Sequence, residues 1–510
     1  MTSIFNDVLG PVMRGPSSSH TAGPYHIGLL ARSLLGEDPA LAAIFFDPGG
    51  SFAEVYRQQG SDHGFAAGLM GWEITDERFH QALDVAAAQG VTIRFEIRPL
   101  PPADHPNFVQ IDLQGVRGRS LSAHARSPGG GTVNFTRLNG WPVSLSGAAH
   151  EFLLLLRPEA ESAVRRCLAG HGDQVARHAR RGQLFLHYRH HSPLPPPTVE
   201  QLGSLSGLCA HWFAPPLSFV TRGEPLFRDA AGMAALARCR EYSLGMLSIE
   251  YEGALLGLSV DAVHEEAQRR YQVMVSAVRR GLAEPSPPLR ILQPSAAGIY
   301  RAEAAGRLAA GGMHTRVAAR ALAVMHVNGA GGVVCAAPTA GAAGVLPAVL
   351  VTLSEEMGIG EEHLTRALLA AGAIGVIVSR RATFAAEVAG CQVEIGAAGA
   401  MAAAAVVEAV GGNAAQACDA AAIAFQNTMG SVCDLVGGIV EIPCHTRNAA
   451  AASAAFLCAD MIMGGYTNPI PLDETIDAVY AVGTMLPREL RCTALGGLAQ
   501  TPSALALSNS

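Results

Sequence analysis

Three cysteines lie in glycine-rich breaks between apolar, helix-like segments of the C-terminal half. Cys391 lies in EVAGCQVEIG, Cys433 in SVCD and Cys444 in IPCHTRN. A cysteine in such a turn can direct its sulfur inward, where backbone N–H groups hydrogen-bond to sulfides. No two of them form a CxxC pair, so a zinc ribbon or a thioredoxin-like motif is not supported. Three thiolates would leave one iron of a [4Fe–4S] cluster open as a Lewis acid.

The alternative for any cysteine is a small buried apolar side chain. We prefer that interpretation for the cysteines in apolar helix-like or strand-like text, which are Cys167, Cys209, Cys239, Cys335, Cys418 and Cys458. The N-terminus lacks a basic stretch followed by an apolar one, so we expect a cytoplasmic protein. In a reducing compartment, thiols or a metal site are favoured over disulfides.

The chain contains no lysine, because all 36 Lys and Arg residues are arginine. Catalysis through a lysine Schiff base is therefore excluded, and ordinary pyridoxal-phosphate (PLP) chemistry with it. A P-loop lysine is excluded on the same ground. Any chemistry that needs an electron sink must use another group.

Composition and charge narrow the function classes further. The formal net charge is −7 and the pI about 6.2, so no basic face is expected for nucleic acid or a membrane surface. Hydrophobic residues make up 49% of the chain and charged residues 15%, which is enough for a large core. The most apolar window, 395–412, is mostly Ala and Gly and contains Glu408, which favours a buried helix over a membrane span. Such an apolar helical domain could support a homodimer.

The pattern of elements predicts an α+β protein with three parts. Residues 1–145 mix strand-like text, as in 93–100 and 108–115, with a helix near 28–36. Residues 146–224 read strand, helix, strand, which predicts a small βαβ-like spacer or regulatory segment, and SPLPPP (192–197) suggests a linker. Residues 225–510 alternate Ala-rich helical runs with Gly-rich breaks, which predicts an all-α domain whose breaks meet at one site.

Several motifs, in order along the chain, resemble those of the iron–sulfur-dependent, PLP-independent L-serine dehydratases. The matching segments are GPSSSHTAGP (15–24), SPGGGTV (127–133), NGAGGVVCAAPTAGAAGVLPAVL (328–350), GCQVEIG, SVCDLVGG and IPCHTRN. The resemblance implies a β-type N-terminal domain, a helical C-terminal domain and an oxygen-sensitive [4Fe–4S] cluster held by Cys391, Cys433 and Cys444. It also implies elimination of water from a β-hydroxy amino acid, giving an enamine that hydrolyses to a 2-oxo acid and ammonia.

The residues of these motifs suit such a reaction. His20 is our candidate general base, with Asp62 and His124 as alternatives. Hydroxyls, backbone N–H groups and amide or guanidinium groups can bind a substrate carboxylate. The candidates are Ser17, Ser18, Ser19, Thr21, Ser127, Gly129, Gly130, Gly131, Asn328, Arg447 and Asn448. Taken singly, SSSHT could instead be a helix N-cap, GGG a tight turn and Arg447 a salt-bridge residue.

The sequence departs from the family pattern at several polar positions. Where the family has His, Asn, Glu-His, Pro and Glu, this chain has respectively Gln59, Ala340, Gln426–Asn427, Leu435 and Cys492. Lost hydrogen-bonding groups change substrate discrimination, so we expect that serine is not the preferred substrate. A bulkier β-hydroxy amino acid or a β-thiol such as cysteine is the alternative.

Cys492 has two interpretations. We expect an inert buried thiol, and the alternative is a cap on the open iron, as a C-terminal cysteine provides in some members of the family. Two other functions also remain: a cluster that only senses oxidation, and a cluster-free binding protein. Iron content separates the binding protein from the other two, and turnover separates the enzyme from the sensor.

Overall fold

The computed structural model describes residues 2–101, 103–286 and 288–508. Strands are concentrated before residue 215 and helices after residue 229, which confirms the predicted α+β class. In chain order the strands are β1 (Val12–Met13), β2 (Pro39–Phe46), β3 (Thr92–Ile97), β4 (Phe108–Gly115), β5 (Ser120–Gly129), β6 (Thr132–Leu138), β7 (Trp141–Leu145), β8 (His150–Leu156), β9 (Asp173–Arg180), β10 (Gln183–His190), β11 (Leu208–Ala214), β12 (Val334–Cys335), β13 (Cys433–Asp434) and β14 (Arg491–Thr493).

The helices of the first half are short apart from α1. In chain order all the α-helices are α1 (Gly23–Leu35), α2 (Ser51–Val55), α3 (Ser61–Met70), α4 (Ala82–Ala88), α5 (Glu161–Cys167), α6 (Pro196–Gly203), α7 (Ala230–Arg240), α8 (Leu244–Leu256), α9 (Val260–Leu282), α10 (Ala296–Ala304), α11 (Met313–Gly329), α12 (Val345–Met357), α13 (Glu361–Arg381), α14 (Ala386–Ala389), α15 (Ile395–Ala409), α16 (Ala414–Thr428), α17 (Cys444–Met463), α18 (Leu472–Met485) and α19 (Pro502–Ser508).

A six-stranded sheet forms the base of the N-terminal half. Its order is β3-β2-β4-β5-β6-β7, and β2 and β3 run parallel whereas the other neighbours are antiparallel. Strand β5 alternates buried and half-buried residues, so Leu121, Ala123, Ala125 and Ser127 lie on the covered face. Helices α1 and α3 cover that face and share its core. The sheet therefore carries the helix that follows the SSSHT segment.

The middle segment is not a βαβ unit. Strands β8 and β10 pair antiparallel within a four-stranded sheet of order β11-β8-β10-β9. The prediction missed β9 (173–180), which lies between α5 and β10 and reverses the chain direction. Strand β9 has no buried residue along its length, so its sequence gives no apolar alternation. Residues 192–197 lead into α6 of the same unit, because Leu194 and Leu202 belong to its core.

The helical half is built around α15. All fifteen residues of α15 are buried, as the Ala- and Gly-rich sequence predicts, and α12, α13, α16 and α17 surround it. Among the described residues, three segments are long and apolar enough to cross a membrane by length and composition alone. They are Ala340–Met357, Glu361–Arg381 and Cys391–Ala409, and 78%, 78% and 94% of these windows are buried inside the protein.

The first residues of the chain join the helical half. The single-turn π-helix Ile4–Val8 contributes Ile4, Phe5 and Val8 to the helical core. Strand β1 then pairs antiparallel with β12, which follows α11. This connection places the SSSHT segment between the sheet and the helical half.

Candidate metal centre and active site

The structure brings the three predicted cysteines together at one buried cavity. Cys391 begins a 3₁₀ turn before α15, Cys433 begins β13 and Cys444 begins α17. Each is at most 4% exposed, and all three line one small cavity of about 10 Å³. Gly390 allows the first two segments to approach, because a Cβ there would lie 2.8 Å from the carbonyl oxygen of Ser431. The predicted meeting of the Gly-rich breaks therefore occurs.

Without a cation beside them, the buried thiols resist deprotonation. A hydrogen bond to Cys433, together with burial, raises the pKa of Cys391 well above its usual value. Burial likewise raises the pKa of Cys444. A bound metal centre would reverse this balance, because metal ligation deprotonates thiols outright. Buried thiols around one cavity, with all ten cysteines free, fit an iron–sulfur cluster.

Arg447 and Asn448 hold the cysteine segments in place. The guanidinium of Arg447 donates to the carbonyl of Val432 at 2.7 Å and to Asp434 Oδ1 at 3.0 Å. The amide of Asn448 donates to the carbonyls of Gly341 and Cys444 at 2.8 and 2.9 Å. Its oxygen accepts the N–H of Gly344 at 3.1 Å. These contacts hold the cysteine segments in place and occupy polar groups of Arg447 and Asn448 that the sequence predicts to bind substrate.

The SSSHT segment forms one wall of the cavity. Ser17 and Ser19 line it, and the segment folds as a single-turn π-helix (Ser18–Ala22) whose first N–H groups are capped by Ser17. The hydroxyl of Ser18 is buried with no hydrogen-bond partner. Thr21 donates its hydroxyl to the carbonyl of Gln59 at 2.6 Å. The segment is thus both a helix cap, as the alternative interpretation held, and a source of cavity hydroxyls.

His20 lies one layer behind this wall. Its Nδ1 is 2.9 Å from Ser19 Oγ and 3.2 Å from Glu387 Oε1, and its Nε2 is 3.0 Å from Ser51 Oγ. The ring and Glu387 are completely buried or nearly so. Although burial opposes it, the hydrogen bond and charge of His20 lower the pKa of Glu387 to about 2. His20 therefore reaches the cavity through Ser19.

The two alternative bases are not brought to the cavity. Asp62 pairs with His63 at 3.0 Å and lines a separate cleft with Arg57 and Phe95. His124 lies on the face of β5 opposite to Ser127, in edge contact with Phe108. Strand alternation explains this outcome, since residues 124 and 127 of one strand point to opposite faces.

Ser127 and the GGG turn pack between the two halves. Gly129, Gly130 and Gly131 all have positive φ, as the tight β5–β6 turn requires. A Cβ on Gly129 would lie 2.8 Å from the backbone nitrogen of Ala385. The hydroxyl of Ser127 is buried without a partner. None of the four lines the cysteine cavity, so their position matches the tight-turn alternative.

Asn328 also lies beside the SSSHT segment. Its Nδ2 donates to the carbonyls of Pro16 and Ala340 at 3.2 and 3.0 Å, and its Oδ1 is buried without a partner. It therefore ties the end of α11 to both neighbouring segments. Its free oxygen is the one group of this side chain that remains for a ligand.

The departures from the family pattern divide into two groups. Gln59, Leu435 and Cys492 line the cavity, and Ala340 is buried next to the cavity residue Gly341. Gln426 and Asn427 are exposed near the end of α16, where they contact Asn468 and Cys458. Only the first group can act on a molecule in the cavity.

Two acidic residues of the site escaped the sequence analysis. Glu394 lines the cavity, within 4.8 Å of the Cys391 and Cys433 thiols, and burial raises its pKa to about 8. Glu394 is the glutamate of GCQVEIG, so its position three residues after Cys391 could have identified it as a site residue. Glu387 precedes Cys391 by four residues and is recognisable as a site residue only from its contact with His20.

An open cleft adjoins the cavity. It is lined by residues 329–331 at the end of α11 and by His63, His80 and Arg290, and it shares Pro16 and Val440 with the cysteine cavity. The cleft and the cavity therefore meet at Pro16 and Val440. The arrangement provides an entrance, hydroxyl donors, a buried histidine–carboxylate pair and a thiol set.

Comparison with known proteins shows the family of the chain. The family model described as serine dehydratase alpha chain matches residues 174–499. The chain is 36% identical over 278 residues to the Bacillus subtilis (strain 168) protein named "Probable L-serine dehydratase, alpha chain", covering 54% of this chain and 93% of that protein. It is 44% identical over 187 residues to the corresponding Latilactobacillus sakei protein, covering 37% and 90%.

A second subunit of the same kind of enzyme is also similar. The Bacillus subtilis protein named "Probable L-serine dehydratase, beta chain" is 43% identical over 145 residues, covering 28% of this chain and 64% of that protein. One polypeptide here thus resembles two chains of that organism. The protein belongs to the iron–sulfur L-serine dehydratase family and is an enzyme of the lyase class.

Proposed function

We propose that this enzyme eliminates water from a β-hydroxy amino acid with the help of a [4Fe–4S] cluster held by Cys391, Cys433 and Cys444. The product is an enamine that hydrolyses to a 2-oxo acid and ammonia. The observation that carries the proposal is the meeting of these thiols with the hydroxyls of Ser17 and Ser19 at one cavity. The names of the relatives make L-serine the first substrate to test.

The cluster would supply Lewis acidity toward a substrate oxygen, which a lysine-free chain needs in place of an imine. The chain's own residues bind and move protons. Ser17 and Ser19 offer hydroxyls to the substrate carboxylate, and Ser19 connects the cavity to Nδ1 of His20. His20 takes the α-proton through this contact while Glu387 stabilises the charge that forms on the ring. Glu394 is the second proton-carrying group of the cavity.

Substrate choice is set by the residues that differ from the family pattern. Gln59 and Leu435 replace a histidine and a proline at the cavity wall, and Ala340 removes an amide beside it. We propose that a β-substituted amino acid other than L-serine, such as L-threonine or L-cysteine, is turned over at least as well. For a thiol substrate the leaving group is hydrogen sulfide instead of water.

Anaerobic reconstitution with iron and sulfide tests both parts. We expect about four irons and four sulfides per chain and an oxygen-labile visible absorption band. Ammonia and the 2-oxo acid are then measured with L-serine, L-threonine and L-cysteine. The Cys444→Ala variant should lose the cluster and the turnover, whereas Cys418→Ala, a buried cysteine on α16 outside the cavity, should keep both.

The outcomes separate the alternatives. A protein without iron would contradict the cluster mechanism and leave a binding protein. A cluster without turnover of any candidate would leave a sensor. If L-serine is turned over faster than every other candidate, the proposal on substrate choice is wrong but the lyase proposal stands.

A further inference from the structure

The open cleft beside the cysteine cavity has the space that the cavity lacks. It encloses about 330 Å³, compared with about 10 Å³ for the cavity. The same chain segments line both, because Thr21 and Gln58 face the cleft while Ser19 and Gln59 face the cavity. A substrate whose reacting carbons lie at the cavity would therefore place any longer substituent of its β-carbon in the cleft.

Basic side chains line the cleft and acidic ones do not. His63, His80 and Arg290 belong to its wall, whereas no Asp or Glu occurs among the described residues that line it. Arg14 lies beside them, since its guanidinium donates to the carbonyl of the cleft residue Gly331 at 3.3 Å. Burial lowers the pKa of His80, and the charges of His63, Arg14 and Arg290 add to this effect. The cleft thus presents positive charge and N–H donors without an acid in its wall.

Arg290 is fixed at the cleft by its backbone, and its charge has no ion-pair partner. Its backbone N–H donates to the buried carboxylate of Glu441 at 2.8 Å. Its side chain makes one long contact, from Nη1 to the carbonyl of Gln58 at 3.5 Å, and no carboxylate of the described residues forms an ion pair with it. A guanidinium placed in this way suits an anionic ligand, because it can bind a carboxylate through two parallel hydrogen bonds.

The two histidines each keep one ring nitrogen for a ligand. Nδ1 of His63 is 3.0 Å from Asp62 Oδ1, and Nε2 of His80 is 3.3 Å from the carbonyl oxygen of Gly331. The other nitrogen of each ring has no hydrogen-bond partner among the described residues. The ring centres are 6.3 Å apart. Together with Arg290, these rings offer donors for a carboxylate in the cleft.

We infer that the cleft binds an anionic group on the β-carbon of the substrate, so that the preferred substrates are β-hydroxy amino acids with a second carboxylate, such as β-hydroxyaspartate. The inference rests on the proposed function, because it names the substrate class of that same site. Ser17 and Ser19 bind the α-carboxylate, and Arg290, His63 and His80 bind the second one. The α-proton and the β-hydroxyl leave as water, and the enamine then takes up water to release ammonia and a four-carbon 2-oxo diacid.

Matched substrates test the inference. Reconstituted wild type, Arg290→Gln and the control Arg301→Gln are assayed anaerobically for ammonia release from L-serine and from both β-epimers of β-hydroxyaspartate and β-hydroxyasparagine. The last two compounds have nearly the same size, but the second carries an uncharged amide in place of the carboxylate. Arg301 is an exposed arginine on α10 that does not line the cleft. Iron is determined on each sample.

Binding gives a readout that does not depend on turnover. L-Aspartate and L-asparagine have no β-hydroxyl to eliminate, so isothermal titration calorimetry measures their affinities directly. We expect wild type and Arg301→Gln to bind L-aspartate about tenfold or more tightly than L-asparagine, since hydrogen bonds to charged groups are the stronger ones. Arg290→Gln should lose this preference.

The same pattern is expected in catalysis. In wild type and Arg301→Gln, kcat/KM for β-hydroxyaspartate should exceed the values for β-hydroxyasparagine and L-serine by about tenfold or more, and Arg290→Gln should abolish these ratios. If wild type releases ammonia from L-serine but does not prefer β-hydroxyaspartate to its amide, or if Arg290→Gln keeps the preference, the inference is overturned while the lyase proposal stands. Iron-loaded wild type that turns over none of these compounds would overturn both.

Discussion

Glu387 contacts the same nitrogen of the His20 ring that faces Ser19. Its carboxylate is 3.2 Å from Nδ1 and also accepts a hydrogen bond from Asn107 at 2.9 Å. A glutamine can keep the Asn107 contact but not the charge. We expect Glu387→Gln to lower kcat by about 10- to 100-fold, since general-base catalysis contributes on this order. KM and iron content should stay close to wild type.

The control is Glu408→Gln, another buried carboxylate, which bonds to Ser243 away from the cavity. It should leave kcat unchanged. Steady-state kinetics gives kcat for both variants and wild type, and iron is determined on the same samples. Equal kcat values for Glu387→Gln and wild type would show that the charge of Glu387 does not assist His20.

At the scale of single residues, the sequence predicts those site residues that lie in a recognisable local motif. The cysteines lie in glycine-rich breaks between helical segments and the serines follow one another, so the sequence reveals both. Glu387 and Cys492 lack such a signal, because each depends on a contact with a segment far away in the chain. Arg447 and Asn448 were found, but their hydrogen bonds go to the protein.

The segment after α9 is held over the cleft by one carboxylate. Glu441 is 1% exposed and accepts the N–H groups of Arg290, Ile291 and Leu292 at 2.8, 2.9 and 2.8 Å. Glu441→Gln keeps one oxygen and turns an NH₂ group toward the remaining donors. Charge-assisted bonds contribute about 1.5–3 kcal/mol each. We expect hydrogen exchange at residues 290–292 to accelerate by about tenfold or more.

Glu284→Gln provides the matched comparison near the same segment. Glu284 pairs with Arg301, and both side chains are more than half exposed. Exposed pairs contribute little, so exchange at 290–292 should not change. Equal exchange in the two variants would rule out Glu441 as the clamp of this segment.

Element prediction succeeded where one face of an element is buried. FVQIDLQG matches β4 at both ends, and the buried helix in 395–412 was found as α15. The prediction of the middle sheet failed because its edge strand β9 has no buried face and so no apolar alternation in its sequence. Only a strand, a helix and a second strand were predicted for this segment. The long-range pairing of β13 with β14 has no sequence signature, since each strand is at most three residues long.

The two halves are joined by the first residues of the chain. The carboxylate of Glu252 on α8 accepts the N–H groups of Ile4 and Phe5 at 2.8 and 2.9 Å. Arg270 on α9 donates to the carbonyl of Phe5 at 2.6 Å. These residues precede the SSSHT segment that lines the cavity. Loss of these N-terminal contacts would therefore lower the stability of the protein and also displace the serines of the SSSHT segment.

Asp7, in this N-terminal segment, gives the whole molecule a measurable pH dependence. Desolvation by the surrounding core raises its pKa from 3.8 to about 6. Between these two values the folded state holds a proton that the unfolded state releases, so the stability contributed by Asp7 falls as the pH rises. It is fully present below about pH 4 and lost above about pH 6.

Asp7→Asn removes this titration and keeps an oxygen for the N–H of Ser3, which Asp7 accepts at 2.7 Å. We expect the variant to match wild type near pH 4 and to exceed its unfolding free energy by up to about 3 kcal/mol at pH 7. Denaturant unfolding at several pH values measures the difference. Because histidines titrate equally in both proteins, the difference curve isolates Asp7. A constant difference from pH 4 to pH 7 would mean that burial does not raise the pKa of this carboxyl.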